Sequence, residues 1–333
     1  MGEVIQPVTG NAVVSSQSIL AQGAGPSVTN AILGGQGFGA MRTNDLLRHR
    51  EWVELDTTVV QETMIRLRGV QDLINRGLVR NLGGLGTLIA EYEQESEMTE
   101  ADVDMSGEAP GEEDTIGYNP AGVPVPIIHK DFRINIRRLL ASRRLGDSLD
   151  TTQAGVAGRR VAEKLERLLV VGHGTKVAGY TIYGYTTHPN RITGSLTSSW
   201  DQVGPTPQKD VSRMIAALQA KGFYGPYMVY VGQNYWMPLQ DDYKAESDKT
   251  TSARILEMDG VLGVQPLDQA PANTVIVVQM TPDVVQLQQA EDISTVEWNS
   301  MGGMVSHYKV MTAAVALIKS TADGKCGVAH YSA

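Results

Sequence analysis

The chain has 333 residues, 42% hydrophobic and 20% charged, with a formal net charge of −9; these are proportions of a globular protein with one large or two ordinary cores. An isoelectric point near 5.2 argues against tight, sequence-reading nucleic-acid binding, which needs a basic face, and no apolar run approaches the ~20 residues of a membrane span. The lone Cys326 excludes an internal disulfide and a cysteine-based metal cage and suits a reducing cytosol.

Residues 1–41 contain a single charged side chain, Glu3, among Gly, Ser, Gln, Asn and scattered Val, Ile and Leu. They show no helical or strand period and none of the three parts of a signal peptide. A free tail is usually polar and charged enough to stay solvated. This neutral, moderately apolar one reads as an arm that orders against a neighbouring subunit. Thr43 or Asn44 can cap a helix running to about Ile65, with Trp52, Leu55, Val59 and Val60 on its apolar face. Gly69 and Gly77 punctuate the chain beyond it.

Residues 91–114 then hold eleven carboxylates (Glu91, Glu93, Glu95, Glu97, Glu100, Asp102, Asp104, Glu108, Glu112, Glu113 and Asp114) and no Lys or Arg. Without them the chain would be slightly positive. Like charges this dense repel and build no core. Downstream, Pro120, Pro124 and Pro126 are spaced along an alternating run with Val123, Val125, Ile127 and Phe132. Proline cannot donate to a ladder, so the run suits an edge strand. Two extended arms around an acidic tip predict a long hairpin, marginal alone in water, that needs another molecule's surface to lie on.

Residues 133–145 are basic and carry no acid. A helix over about 150–171 follows, with Asp150 and Gln153 approximating a capping box. Ala154, Ala157, Val161, Leu165 and Leu168 form its stripe, and Glu163→Arg167 is an i,i+4 pair. Gly172 closes it, and the Gly172-His173-Gly174-Thr175-Lys176 run reads as a helix stop and turn. The remainder alternates: a helix over 209–221, a strand over 227–231 and a short helix over 252–258. Strands are predicted over 275–280, 284–288, 295–298, 305–318 and 327–331. The class is α+β.

Catalytic signals are missing. The six histidines share no metal-ligand spacing with one another or with Cys326. The glycine-rich stretches fit neither a phosphate loop nor a dinucleotide fingerprint, and Gly107 and Gly111 fall outside an EF-hand frame. No catalytic residue, cofactor or metal is expected.

Trp52-x-x-Leu55-Asp56-x-x-Val59 on the first helix resembles the opening helix of the encapsulin (linocin-type) shell proteins. The resemblance continues through Val123-Pro124-Val125-Pro126-Ile127-Ile128, then Phe132-Arg133-Ile134, then the helix with Ala162-Glu163 and Glu166-Arg167 ahead of its closing glycine. Order and spacing over residues 46 to about 180 carry it. Those proteins share the Hong Kong 97-type fold with tailed-phage major capsid proteins. The resemblance therefore implies an N-terminal arm over 1–43 and a peripheral domain over 44–78 and 131–205, with a spine helix at about 150–171. An extended hairpin loop (the E-loop) would occupy 79–130 and an axial domain 206–300, with C-terminal strands over 301–333 returning to the peripheral domain.

The function so implied is structural, not enzymatic: a bacteriophage major capsid protein assembling into pentamers and hexamers of an icosahedral virion shell around double-stranded DNA. The implied partners are further copies of itself, a portal, decoration or separate scaffolding proteins, and DNA held by weak non-specific contact. No membrane is involved, and assembly is expected in the host cytoplasm. The long uncharged arm favours a phage capsid over an encapsulin-like compartment holding protein cargo; an unrelated soluble enzyme is the remote alternative. Some phage capsids weld subunits through a hairpin lysine, but residues 79–129 contain no Lys, so no such cross-link is expected. No fused scaffold is expected either.

An arm and a hairpin that cannot bury themselves would make head-to-tail contacts, which close into rings. The acidic hairpin (Glu91, Glu93, Glu95, Glu97, Asp102, Asp104) is expected to lie over a neighbour's basic surface. The candidates are Arg137, Arg138, Arg143 and Arg144, or the Arg159, Arg160 and Arg167 face of the spine helix.

Overall fold

The computed structural model describes residues 49–64, 67–101, 103, 105, 113, 115–145, 151–201, 207–242, 249–300 and 304–333. The expected arm over 1–43 lies outside them, as do Asp102, Asp104, Glu108, Glu112 and Asp114 of the acidic run. The elements run α1 (His49–Met64), α2 (Gly69–Asn75), β1 (Val79–Asn81), β2 (Ile89–Glu95), β3 (Tyr118–Pro124), β4 (Ile127–Asn135), α3 (Ile136–Leu145) and α4 (Thr152–Val170). They continue through β5 (Gly172–Val177), β6 (Tyr180–Tyr183), β7 (Ile192–Ser195), α5 (Pro207–Gln219), β8 (Tyr227–Gly232), α6 (Gln233–Trp236) and α7 (Thr251–Leu256). β9 (Val261–Leu267), β10 (Thr274–Gln279), β11 (Val285–Ser300), β12 (Val305–Ile318) and β13 (Val328–Ser332) complete the chain. The mixture is α+β, as expected.

Two sheets organise it. Four strands lie in the order β1-β11-β12-β4 and five in the order β7-β13-β10-β8-β9, with separate two-stranded ribbons β2-β3 and β5-β6. Helix α4 packs its stripe into the larger core, where Ala154, Ala157, Val161, Leu165 and Leu168 are all buried. Its Gly158 lies close under α1: a Cβ there would stand 3.0 Å from the Val59 carbonyl oxygen. A second core, around Trp200, Met214, Tyr227 and Tyr235, fills the space between α5 and the five-stranded sheet.

Several local readings need correction. Leu55 and Val59 are buried but Val60 is exposed, because it sits one residue round the helix from Val59. Thr151 occupies the cap of α4 without a side-chain capping bond, and Asp150 lies outside the described residues. Glu163 pairs backward with Arg160 at 2.8 Å rather than forward with Arg167. Gly172 does end α4 at φ +78°, but the residues after it are strand β5, paired with β6, not a turn. The strands expected over 284–288 and 295–298 are one strand, β11, whose ladder slips between Gln289 and Glu291 and between Glu291 and Ser294. Those bulges break the period that the sequence shows.

The predicted hairpin is present: Ile89 pairs Pro124, and the ladder runs to Glu95 opposite Tyr118. Its base is not unsupported, however, since Ala90, Val123 and Val125 enter the chain's own core. Ile127 is exposed while Ile128 is buried, because the Pro124–Pro126 corner shifts the alternation by one residue.

Candidate inter-subunit surfaces

Alternation along β2 separates two chemistries. Glu91, Glu93 and Glu95 stand exposed while Tyr92 and Gln94 between them are half-buried. The inner side chains are held by the C-terminal segment: Gln94 Nε2 donates to Ser320 Oγ at 2.9 Å, and the Ser320 amide donates to the Tyr92 hydroxyl at 3.2 Å. The Ala322 amide reaches the Glu95 carbonyl at 3.2 Å. Glu97 forms an ion pair with Lys325, so this member of the expected acidic set is engaged within its own chain. Among the described residues no ion pair joins Glu91, Glu93 or Glu95 to an arginine.

The expected basic partners divide. Arg137 and Arg144 on α3 are exposed, while the side chains of Arg138 and Arg143 lie outside the described residues. On α4, Arg160 and Arg167 are exposed and Arg159 is half-exposed. Lys164 is exposed between them, completing an i, i+4, i+7 stripe with Arg160 and Arg167 that helical spacing alone could have revealed.

A further cationic row escaped sequence reasoning because it is made by strand pairing. Cross-strand register sets Trp298 opposite His307 and His307 opposite Arg133. The Trp298 and His307 rings stack at 5.3 Å, and Lys309 Nζ lies 5.6 Å from the Trp298 ring centroid. Lys309 shares Asp131 with His129, at 3.8 and 3.4 Å. Residues far apart in sequence thus form one positively charged, aromatic sheet face.

The interior carries its own buried charge. Glu166 on α4 accepts the Gly69 amide at 2.6 Å and the Val70 amide at 3.2 Å, capping α2 from a distant element. Burial pushes its carboxyl up to about 7, against those two donors, with Asp72 and Asp268 adding to the rise. Asp72, on α2, accepts the Tyr230 hydroxyl at 2.9 Å and Gln265 Nε2 at 3.3 Å; burial raises its carboxyl as well. Tyr185 stacks on Tyr230 at 6.1 Å. These groups join the helical half to the five-stranded sheet. Cys326 is fully buried, its thiol pushed up to about 12 by burial, which suits packing rather than reactivity. Among the described residues no group of three His, Cys, Asp or Glu is placed to hold a metal ion, and no helix is long and apolar enough to cross a membrane.

Comparison with known proteins agrees with this architecture. Residues 41–331 match a family described as a family of unknown function (DUF6260). The Type 1 encapsulin shell protein EncA of Myxococcus xanthus is 27% identical over 233 residues, covering 69% of this chain and 71% of that protein. The virus-like particle from Pyrococcus furiosus superposes with a TM-score of 0.61 at 18% identity, over 83% of this chain and 97% of that one. The capsid of Myoviridae Phage XM1 gives 0.57 at 10% identity, over 76% and 88%. The chain has the Hong Kong 97-type fold.

Proposed function

The chain belongs to the DUF6260 family, and from that premise we propose that it is a shell-forming subunit: the major capsid protein of a tailed phage. Its copies build the pentamers and hexamers of an icosahedral container around double-stranded DNA, in the virion. The observation that carries this reading is the β2-β3 ribbon. It turns Glu91, Glu93 and Glu95 away from the core that anchors its base, on a fold shared with capsid and virus-like particles.

The acidic face of this ribbon lies over a neighbour's cations. Two surfaces offer them: the Arg160, Lys164 and Arg167 stripe, and the sheet face around Arg133 and Lys309. Arg137 and Arg144 extend the second. The domain division we propose has an arm over 1–43, a peripheral domain over 44–78 and 131–205, an extended loop over 79–130, an axial domain over 206–300 and C-terminal strands over 301–333. A portal, decoration or scaffolding proteins, and loosely held DNA complete the assembly.

A second reading has support from the EncA match: a compartment of the encapsulin kind, filled with protein. The nearly uncharged stretch before α1 favours the phage reading. Negative-stain microscopy of the purified chain, followed by analysis of particle contents, tests both. Closed shells with genome-length nucleic acid from infected or induced cells support the capsid; shells holding one co-purifying protein support the compartment. A homogeneous particle of single-subunit mass at all concentrations would overturn both.

A further inference from the structure

A cavity of about 230 Å³ lies beside the root of the hairpin, bounded by β2, β3, the β5-β6 ribbon, the loop over 188–190 and the end of β12. Tyr92, Tyr180 and Tyr183 line it. Tyr183 is 39% exposed, and its ring meets that of His188 edge-on at 5.7 Å. No Lys, Arg, Asp or Glu lines the cavity. Burial and the neighbouring Arg191 push His188 down to about 4, so the lining is uncharged near neutral pH.

The polar part of the lining is amide and hydroxyl, and its hydrogen-bonding capacity is half used. Ser320 Oγ accepts from Gln94 Nε2 at 2.9 Å and from Asn190 Nδ2 at 3.1 Å. The Tyr92 hydroxyl accepts from Gln94 Nε2 at 3.1 Å and from the Ser320 amide at 3.2 Å. Each of these two oxygens already accepts twice, so each hydroxyl has its hydrogen left to donate. Among the described residues, no hydrogen bond engages the side-chain oxygens of Gln94 and Asn190. Two O–H donors and two amide acceptors thus remain around one small cavity.

The ligand that fits is small, since drug-sized molecules occupy pockets of about 300–1,000 Å³. It is neutral, since a charge would lose hydration and meet no counter-charge; a phosphate-bearing nucleotide fails on that ground. A purely apolar ring fails too, because it leaves the amides and hydroxyls without partners. A ligand hydroxyl that accepts from Tyr92 or Ser320 and donates to Gln94 or Asn190 satisfies both remaining sets at once. A ring bearing several such hydroxyls, with C–H groups to set against the electron-rich faces of tyrosines, is a hexopyranose. We infer that this cavity binds one neutral hexose, either free or as the terminal residue of a glycan. Every lining residue belongs to one subunit, so the inference stands apart from the shell reading.

Saturation-transfer NMR on the full-length chain tests it, with glucose, galactose and mannose as probes and glucuronate and glucosamine as charged counterparts. At least one neutral hexose should show transfer to its ring protons, with a dissociation constant of about 1 mM. Its charged counterparts should bind about tenfold more weakly. No transfer to any of the three, or equal transfer to the charged sugars, overturns the inference. Tyr183→Ala removes an exposed ring and should weaken binding about tenfold at an unchanged melting temperature; undiminished transfer overturns the inference. Hydrogen exchange on the unaltered chain needs no variant: saturating hexose should slow amides at 92–95 and at 188–190 together, and no slowing at either overturns it. Retention on an immobilised polysaccharide with neutral terminal hexoses, released by the free sugar, assigns the site to glycans. Binding of the free hexose without such retention assigns it to the free sugar, and both results support the class.

Discussion

Glu166 and Gly69, on helices separated by almost a hundred residues of chain, are joined by a 2.6 Å hydrogen bond from the Gly69 amide to the Glu166 carboxylate. Gly69 allows the approach, since a Cβ there would lie 3.0 Å from Glu166 Oε1 and 2.9 Å from Leu169 Cδ2. The carboxylate is 2% exposed, so its protonation bears on the stability of the joint between the two halves.

The folded-state carboxyl of Glu166 titrates at about 7 against an ordinary value of 4.5. The folded protein thus binds a proton that the unfolded chain releases, and stability falls as pH rises through that window. The shift corresponds to about 3 kcal/mol. Glu166→Gln keeps an acceptor for Gly69 and carries no charge. Thermal melts at pH 5 and pH 8 should show the variant gaining on the wild type at the higher pH, and a constant difference across the window would refute this.

His188 and His330 work in the opposite direction. Burial and the neighbouring Arg191 push both down to about 4 from 6.5, and Arg191 Nε lies 3.4 Å from His330 Nδ1. The folded state keeps them neutral, so stability is lost as pH falls from 6.5 towards 4. Replacing either by Asn should flatten the acid limb of a melting-temperature profile, and an unaltered limb assigns the acid lability elsewhere.

Asp210 is fully buried. It accepts from the Thr197 amide and hydroxyl at 3.1 and 2.6 Å, from Trp200 Nε1 at 3.0 Å and from Arg213 at 3.1 Å. Asp210→Ala removes the acceptor of the Thr197 and Trp200 donors, while Arg213 keeps the Ser195 carbonyl at 2.6 Å, and should cost about 3–5 kcal/mol. Near-ultraviolet circular dichroism should lose the Trp200 signal before far-ultraviolet signal is lost.

Gly158→Ala sets two effects against each other. Helix propensity gains about 1 kcal/mol, but the new methyl meets the Val59 carbonyl oxygen and Thr63 Oγ1, each at 3.0 Å. Overpacking of about 1–3 kcal/mol against backbone should prevail, lowering the denaturation midpoint; a raised midpoint would mean that α1 yields easily.

Neutralising Glu91, Glu93 and Glu95 together as Gln should change the subunit's own stability by no more than about 0.5 kcal/mol, because all three are exposed. Assembly yield should fall, and the wild-type yield should drop as salt rises towards 1 M, where the screening length is ~3 Å. Light scattering that is blind to both changes would remove charge pairing from the assembly mechanism.

Much of this was readable before any coordinates. The stripe of α4 and the Leu55–Val59 step of α1 are periodic within a turn or two, and short-range periodicity is a property of the chain itself. The hairpin announced itself through spaced prolines and like charges. Helix α2 did not, since seven residues of weak pattern are stabilised by a carboxylate from α4. Nor did the Trp298, His307, Arg133 and Lys309 face, because only the register of three strands makes those residues neighbours. Lys164 is legible from helical spacing, four residues after Arg160 and three before Arg167.

Composition and local period, by themselves, determined that this chain mixes helices with strands, concentrates eleven carboxylates in residues 91–114 and carries no sequence motif of catalysis. Those properties are sums and spacings along the polymer, and folding does not alter them. The tertiary structure alone decided which side of β2 faces outward and that Glu97 is engaged by Lys325. It also decided that, among the described residues, β4 ends its sheet with a strand on one side alone. Each depends on long-range pairing, where a shift of one residue exchanges the buried and exposed faces.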